Sequence, residues 1–139
     1  MKKIILLLIV PFVMKAQNPV ETPAKEAKET NQKTLTISEK SKNEARKLTE
    51  SYRQRVIKGE KMSDLAVQYS EDPGSAKNGG RYENIVLGTM VPEFETAAFA
   101  LKPGEISEVF ETQYGFHFIQ LIAIHGESRD LRHILIMPK

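Results

Sequence analysis

The middle of the chain holds four side chains that could share one small site. Asp72 lies in a turn-rich loop, Met90 and Phe94 flank the start of a short apolar helix pattern, and His117 lies in a strand-like run. Carboxylates and imidazoles carry charge, hydrogen-bond or move protons near neutral pH, whereas a Met/Phe pair offers an apolar slot. These residue types predict a small cleft that binds or catalyses.

Each of these residues also has an ordinary structural interpretation. Asp72 precedes a Pro-Gly pair, where an aspartate commonly closes an Asx-type turn. His117 could be a hydrogen-bonded strand histidine, and Met90 and Phe94 could be core residues. Only their occurrence together favours a functional site.

Hydrophobic periodicity predicts the elements that would position these residues. Within residues 41–58, Ala45, Leu48, Tyr52 and Val56 recur at helical spacing, which predicts an amphipathic helix. Because helices precede paired strands, the pattern favours an α+β fold. Further helices are expected from residue 63 to about 69 and over 92–101, and strands over 82–87, 106–112 and 116–124.

Composition limits the classes of protein that fit. The 139 residues, 40% of them hydrophobic, suffice for one domain with a modest core. Without the three lysines of residues 1–17, the chain has 17 basic against 18 acidic residues, so we expect no nucleic-acid partner. Cysteine is absent, which excludes disulfides, a thiolate nucleophile and cysteine-based metal sites.

The N-terminal residues predict export. Residues 1–17 have the charged start, short apolar centre and small-residue end of a secretory signal peptide, which predicts a periplasmic location. An uncleaved anchor is the alternative, suggested by Lys15 near the expected cleavage point. Residues 18–32 are rich in charge and proline and predict a disordered linker, and the alternation in residues 34–37 predicts a short strand.

Several separate motifs follow one another along the chain, at residues 70–76, 79–80, 90–95, 98–107 and 115–119. In their order and spacing they resemble the parvulin-type (PpiC-like) peptidyl-prolyl cis-trans isomerases. This resemblance implies a single domain over residues 33–127, with a four-stranded antiparallel sheet surrounded by short helices. The same domains occur in exported folding chaperones.

The chemistry that the resemblance implies is rotation about an X-Pro peptide bond, which breaks no covalent bond. It requires no metal and no cofactor, but a slot for the proline ring and polar groups that favour the twisted amide. The substrates would be unfolded or extended polypeptides that contain proline. By position, the resemblance implies catalytic roles for Asp72, His117 and His133 and substrate-binding roles for Met90, Phe94, Tyr82 and Thr112, with Thr112 also a hydrogen-bond partner of the histidines.

The sequence departs from the family at its first strand. A histidine is usual there, but Thr34 occupies that place, whereas a His-Ile-Leu stretch begins at His133. Residues 133–136 could fold back as a hairpin on residues 116–124, or residues 128–139 could begin a second parvulin domain while residues 34–37 fill the sheet. The third alternative is an exposed strand that aggregates or swaps into a dimer. We favour the hairpin, because exposing Ile134, Leu135 and Ile136 to water is costly.

Two functions of different class therefore remain open. The first is an exported prolyl isomerase that assists protein folding. The second is a non-catalytic chaperone-type module that only holds peptide, which is expected if Thr34 replaces the histidine. Activity on a proline peptide distinguishes them.

Overall fold

The structure is a computed structural model and describes residues 23–139, with side-chain environments from residue 38 onward. It divides into two units, residues 1–35 and residues 36–139, and the second unit holds the whole sheet. The predicted signal peptide lies outside the described residues.

Three α-helices and four strands form the described part of the chain, which is the α+β class expected from the sequence. A short 3-10 turn, Ala76–Asn78, lies between the second helix and the first strand. In chain order the elements are α1 (Pro23–Ile57), α2 (Met62–Tyr69), β1 (Arg81–Ile85), α3 (Pro92–Phe99), β2 (Phe110–Thr112), β3 (Gly115–His125) and β4 (Ser128–Ile136).

The last strand lies in the middle of the sheet. The strand order is β1-β4-β3-β2, and every neighbouring pair is antiparallel. In the β3–β4 hairpin Phe118 faces Ile134, and in the β1–β4 pair Tyr82 faces Leu131. The structure therefore contains the terminal hairpin that the apolar run predicts, and β1 is an edge strand.

Strand alternation gives the two faces of the sheet different roles. Phe116, Phe118 and Ile134 belong to a core cluster with the buried residues of α1 and α2. Ile119 and Leu131 belong to a second cluster with the buried residues of α3. Because successive strand residues point to opposite faces, a histidine beside Phe116 or Ile134 must point to the α3 face.

The buried face of α1 differs by one position from the predicted face. Ala45, Tyr52 and Val56 are buried as expected, but Leu48 is exposed and Thr49 is completely buried. The Thr49 hydroxyl donates to the Ala45 carbonyl at 2.7 Å, so its burial leaves no unmet hydrogen bond. Helical periodicity alone does not distinguish adjacent candidates for the edge of a buried stripe.

One expectation for the segment before the sheet is wrong: residues 34–37 belong to α1 instead of forming a strand. The helix begins at Pro23, within the segment predicted as a linker. Alanine, lysine and glutamate have high helix propensity, and Pro23 occupies the first turn, where proline is tolerated. Because helix formation is cooperative, the short β-branched stretch in residues 34–37 follows its helical neighbours.

The Gly79-Gly80 pair lets the loop approach β4 closely. The Gly80 carbonyl accepts a hydrogen bond from the His133 N–H at 2.9 Å, and Gly80 has a φ of 74°. A Cβ at this position would lie 2.2 Å from the His133 carbonyl oxygen. Glycine therefore meets both a left-handed backbone and a steric requirement here.

Because β4 lies in the middle of the sheet, we expect its buried side chains to contribute strongly to the free energy of unfolding. Ile134→Ala removes a completely buried side chain from β4 and should lower the free energy of unfolding by about 2–5 kcal/mol. Ile124→Ala changes the same residue type at a position that is 43% exposed, and should cost less than about 1 kcal/mol. Urea unfolding followed by circular dichroism measures both, and equal losses would contradict the placement of β4.

Candidate active site

A cleft opens on the α3 face of the sheet and brings together residues from every strand except β2. Its volume is about 480 Å³, which is within the usual range for small-ligand pockets. The charged or titratable side chains in its wall are Asp72, two tyrosines and two histidines, and the rest are mainly apolar. The lining residues are Asp72, Pro73, Tyr82, Thr89, Met90, Val91, Phe94, Tyr114, His117, His133, Leu135 and Met137.

Asp72 is held by donors on both of its carboxylate oxygens. Oδ2 accepts from His133 Nε2 at 2.7 Å, from the Ser75 hydroxyl at 2.6 Å and from the Tyr82 hydroxyl at 2.8 Å. Oδ1 accepts from the Gly74 N–H at 3.1 Å. The Asx-type turn expected at Asp72 is therefore present, but the same carboxylate also joins β1 and β4.

These donors favour the ionised carboxylate. The hydrogen bond from His133 is the largest cause that holds the pKa of Asp72 well below its usual range, and Ser75, Tyr82 and Gly74 add to it against the effect of burial. Burial, reinforced by the hydrogen bond to the Asp72 carboxylate, raises the pKa of Tyr82 to about 12. Asp72 is therefore an anion at neutral pH, and Tyr82 is a neutral donor.

Two buried histidines lie side by side beneath the cleft. His117 on β3 and His133 on β4 stack with ring centroids 5.6 Å apart, and their Nδ1 atoms are 3.4 Å apart. On the far side, the Thr112 hydroxyl is 2.7 Å from His117 Nε2. The histidine pair that the resemblance implies is therefore present, with His133 supplied by the terminal strand.

The hydrogen-bond partners of the two histidines connect them in one series with Asp72 and Thr112. An ionised carboxylate can only accept, so His133 Nε2 carries the hydrogen that points to Asp72. His133 Nδ1 is 3.4 Å from His117 Nδ1, so only one of these two nitrogens carries a hydrogen in that contact. His117 Nε2 is hydrogen-bonded to the Thr112 hydroxyl, whose oxygen accepts from the Tyr114 N–H at 3.2 Å. The series therefore connects the β2–β3 turn with the Asp72 carboxylate.

Burial also keeps His117 neutral. It is 3% exposed, and burial, with the neighbouring His133 as the second cause, lowers the pKa of His117 to about 4. The charge of Asp72 opposes this shift but does not reverse it. At neutral pH, His117 is therefore suited to orienting its neighbours and not to accepting a proton.

The apolar side of the cleft consists of Phe94 with Met90 and Tyr82 around it. Phe94 is almost completely buried and meets both histidine rings edge-on, with centroids 6.0 Å from His117 and 5.2 Å from His133. Met90 and Tyr82 are half-buried and pack against the same cluster. These side chains leave a slot with an apolar wall next to the Asp72 carboxylate.

The structure brings the seven residues singled out from the sequence together, but in two kinds of position. Asp72, His117, His133, Met90, Phe94 and Tyr82 line the cavity. Thr112 does not line it, because its buried hydroxyl lies behind His117. Thr34 belongs to α1, so the second histidine of the site is His133.

Sequence reasoning missed two residues that support the site. Ser75 is 1% exposed and donates to Asp72, and an aspartate three residues before a serine is a turn pattern that could have indicated it. Glu95 Oε1 accepts the N–H groups of Gly88 and Met90 at 2.6 and 3.1 Å, which fixes the loop that carries Met90. No local pattern predicts the Glu95 contact, since it depends on how the loop folds back on α3.

The fold and the cleft together define a small α+β domain of the parvulin type. The family model described as "Rotamase: PPIC-type PPIASE domain" matches residues 16–123, and the chain belongs to this family. The match ends before β4, so His133 lies beyond it.

Relatives of known name support the same assignment. The chain is 50% identical over 74 residues to the foldase protein PrsA of Caldanaerobacter subterraneus subsp. tengcongensis, covering 53% of this chain and 24% of the relative. It is 52% identical over 82 residues to the peptidyl-prolyl cis-trans isomerase pin1 of Schizosaccharomyces pombe, covering 58% of this chain and 46% of the relative. Over 76 residues it is 43% identical to the chaperone SurA of Nitrosococcus oceani, covering 55% of this chain and 18% of the relative.

A solved structure has the same fold. The crystal structure of the peptidylprolyl isomerase PrsA from Bacillus cereus matches with a TM-score of 0.56 and 38% identity, over 59% of this chain and 32% of that chain. This chain thus spans only about a quarter of the length of the PrsA relative matched in sequence, and less than half of the pin1 relative.

The lowered pKa of His117 predicts acid-sensitive stability. Between about pH 6.5 and pH 4, the unfolded chain binds a proton at His117 that the folded protein does not, so the free energy of unfolding should fall by up to about 3 kcal/mol as pH decreases. Asp72 adds to the loss only below its unfolded pKa near 3.8, because its folded pKa is depressed. Urea unfolding at a series of pH values measures the slope.

His117→Asn should flatten this slope between pH 6.5 and 4. Asn43→Ala changes an exposed residue of α1 that does not titrate, and serves as the control with the slope of the unsubstituted protein. If the slope is the same in all three proteins, the burial of His117 does not determine the acid sensitivity.

Proposed function

We propose that the protein is a peptidyl-prolyl cis-trans isomerase that assists the folding of exported proteins. The observation that carries this proposal is the position of an apolar slot, formed by Met90 and Phe94, beside an ionised carboxylate anchored to a buried histidine pair. Both halves occur in one cavity of about 480 Å³.

The chemical problem is the resonance of the X-Pro amide. The planar amide has a rotation barrier of about 18–20 kcal/mol, and its resonance places negative charge on the carbonyl oxygen. Twisting the bond removes that charge separation. An apolar wall and a carboxylate that faces the carbonyl oxygen both disfavour the charge-separated planar form more than the twisted form, and therefore lower the barrier.

The residues of the cleft divide this work between binding and electrostatics. Met90 and Phe94 hold the proline ring, with the ring of Tyr82 beside them. Asp72 supplies the negative charge next to the reacting amide. His117 and His133 hold that charge in place, since the pKa of His117 near 4 favours a neutral ring that positions its neighbours without transferring protons.

The substrates we propose are unfolded or extended polypeptides that contain proline. The names foldase, chaperone and isomerase carried by the relatives support this class of partner. Neither a cofactor nor nucleic acid has a part in the proposed reaction. A strand-swapped dimer through β4 stays a prediction, and in the structure β4 pairs with β1 and β3 of its own chain.

We propose export to the periplasm on the strength of residues 1–17. Lys2 and Lys3 precede a short apolar run, as in a secretory signal peptide, and cysteine is absent. Among residues 23–139, no helix has both the length and the apolar composition needed to cross a membrane.

The second candidate function is a chaperone-type module that binds peptide without catalysis. It was expected if Thr34 replaced one histidine of the pair. Because His133 lies beside His117, the geometry favours the isomerase instead. The half-exposed Tyr114 at the rim of the cleft would suit either function.

Replacing the carboxylate of Asp72 tests the isomerase proposal. We expect Asp72→Asn to lower kcat/KM for an Ala-Pro peptide about 10- to 100-fold, equivalent to about 1.4–2.7 kcal/mol. The reason is that the asparagine side chain carries no negative charge. Peptide affinity should change less than about twofold, since the apolar slot is unaltered. NMR exchange spectroscopy of the peptide measures the rate, and titration measures the affinity.

Glu127→Gln makes the same chemical change in the exposed β3–β4 turn and should leave the rate unaltered. Equal rates for Asp72→Asn and the unsubstituted protein would remove Asp72 from the mechanism. An unsubstituted protein that binds the peptide without accelerating exchange would favour the chaperone-type module.

A further inference from the structure

We propose that the Tyr82 hydroxyl is a positioning group that fixes the Asp72 carboxylate in the cleft, in addition to the part its ring has in the wall. The inference rests on the proposed function, because it concerns the acid of the isomerase site. It assigns to β1 a polar role beside the polar groups that the Asp72 loop, β2, β3 and β4 contribute to the site.

The ring of Tyr82 is held from two sides. On β1, Tyr82 pairs with Leu131 of β4, and the pairing shifts register between Tyr82 and Ile85. Its ring stacks on His133 with centroids 5.4 Å apart and an interplanar angle of 29°. The hydroxyl therefore has a defined position, 2.8 Å from Asp72 Oδ2.

Gly74 leaves the space that this contact requires. A Cβ on Gly74 would lie 2.6 Å from the Tyr82 hydroxyl oxygen but 3.7 Å from the ring carbon that bears it. Gly74 does not have a positive φ, so the restriction is steric and concerns the hydroxyl in particular. The N–H of Gly74 meanwhile donates to Oδ1, on the other side of the carboxylate.

Among the titratable groups around Asp72, Tyr82 is the one that contacts the carboxylate from β1. The titratable groups that face the carboxylate are Tyr82 on β1 and His133 on β4, with His117 on β3 behind His133. The loop before α3 and α3 itself contribute Thr89, Met90, Val91 and Phe94 to the cleft, none of them charged. Without the hydroxyl, Oδ2 retains only its contacts with His133 and Ser75, and the carboxylate loses its hydrogen bond to β1.

A set of variants separates the hydroxyl from the ring. Tyr82→Phe removes the hydroxyl and keeps the apolar wall, whereas Gly74→Ala keeps the hydroxyl and crowds it. In the double variant, Tyr82→Phe removes the atom that the new methyl group would meet. Tyr69→Phe is the control, because Tyr69 stacks on Tyr52 and takes no part in the cleft.

The main measurement is NMR of the full chain without substrate. On acidification, the carboxyl-carbon resonance of Asp72 should begin to change at a pH about 1 unit higher in Tyr82→Phe than in the unsubstituted protein. The Hε2 resonance of His133 should also move. Gly74→Ala should cause the same two changes. The double variant should match Tyr82→Phe alone, and Tyr69→Phe should match the unsubstituted protein.

Kinetics then link the geometry to the reaction. Tyr82→Phe should lower kcat about 3- to 10-fold with KM unaltered, since the ring still lines the slot. If the Asp72 and His133 resonances do not change in Tyr82→Phe, or if the double variant shows the two effects added, the hydroxyl does not position the carboxylate. If the Asp72 and His133 resonances change as expected but the unsubstituted protein does not accelerate peptide exchange, the positioning role stands and the proposed isomerase function fails.

Discussion

The hydrogen bond between Asp72 and His133 is the contact on which the rest of the site depends. It joins the loop after α2 to the central strand at 2.7 Å and places a charge where the side chain is 16% exposed. A partly buried carboxylate is stable only when its oxygens are paired, which explains the additional donors from Ser75, Tyr82 and Gly74. It also fixes the His133 tautomer, and through it the orientation of His117.

Much of this arrangement could be predicted because strands have a period of two. Once Phe116, Phe118 and Ile134 are assigned to the core, His117 and His133 must share the opposite face. The same alternation explains why α3 covers the histidine face: its Phe94 and Ala98 need the apolar partners that this face offers.

Other features could not be predicted, for reasons that differ between residues. The predicted strand over residues 106–112 is shorter, because only residues 110–112 pair continuously, while Ile106 makes a single bridge to Gln120. The alternation in residues 34–37 indicated a strand, but the helical propensity of the neighbouring residues outweighs it and α1 continues through them. The Glu95 contact with two backbone N–H groups depends on a loop conformation that residue types do not specify.

The position of β4 in chain order has a consequence for assembly. Arg81 on β1 pairs with Arg132, so the contact that completes this side of the sheet spans a long stretch of sequence and must overcome the loss of chain entropy over that distance. During synthesis from the N-terminus, β1 and β3 lack their shared neighbour until β4 has left the ribosome, and their backbone groups stay open to other chains. Closure of the sheet and pairing of the histidines are then a single event, so a nascent chain acquires its site only when β4 covers the facing sides of β1 and β3.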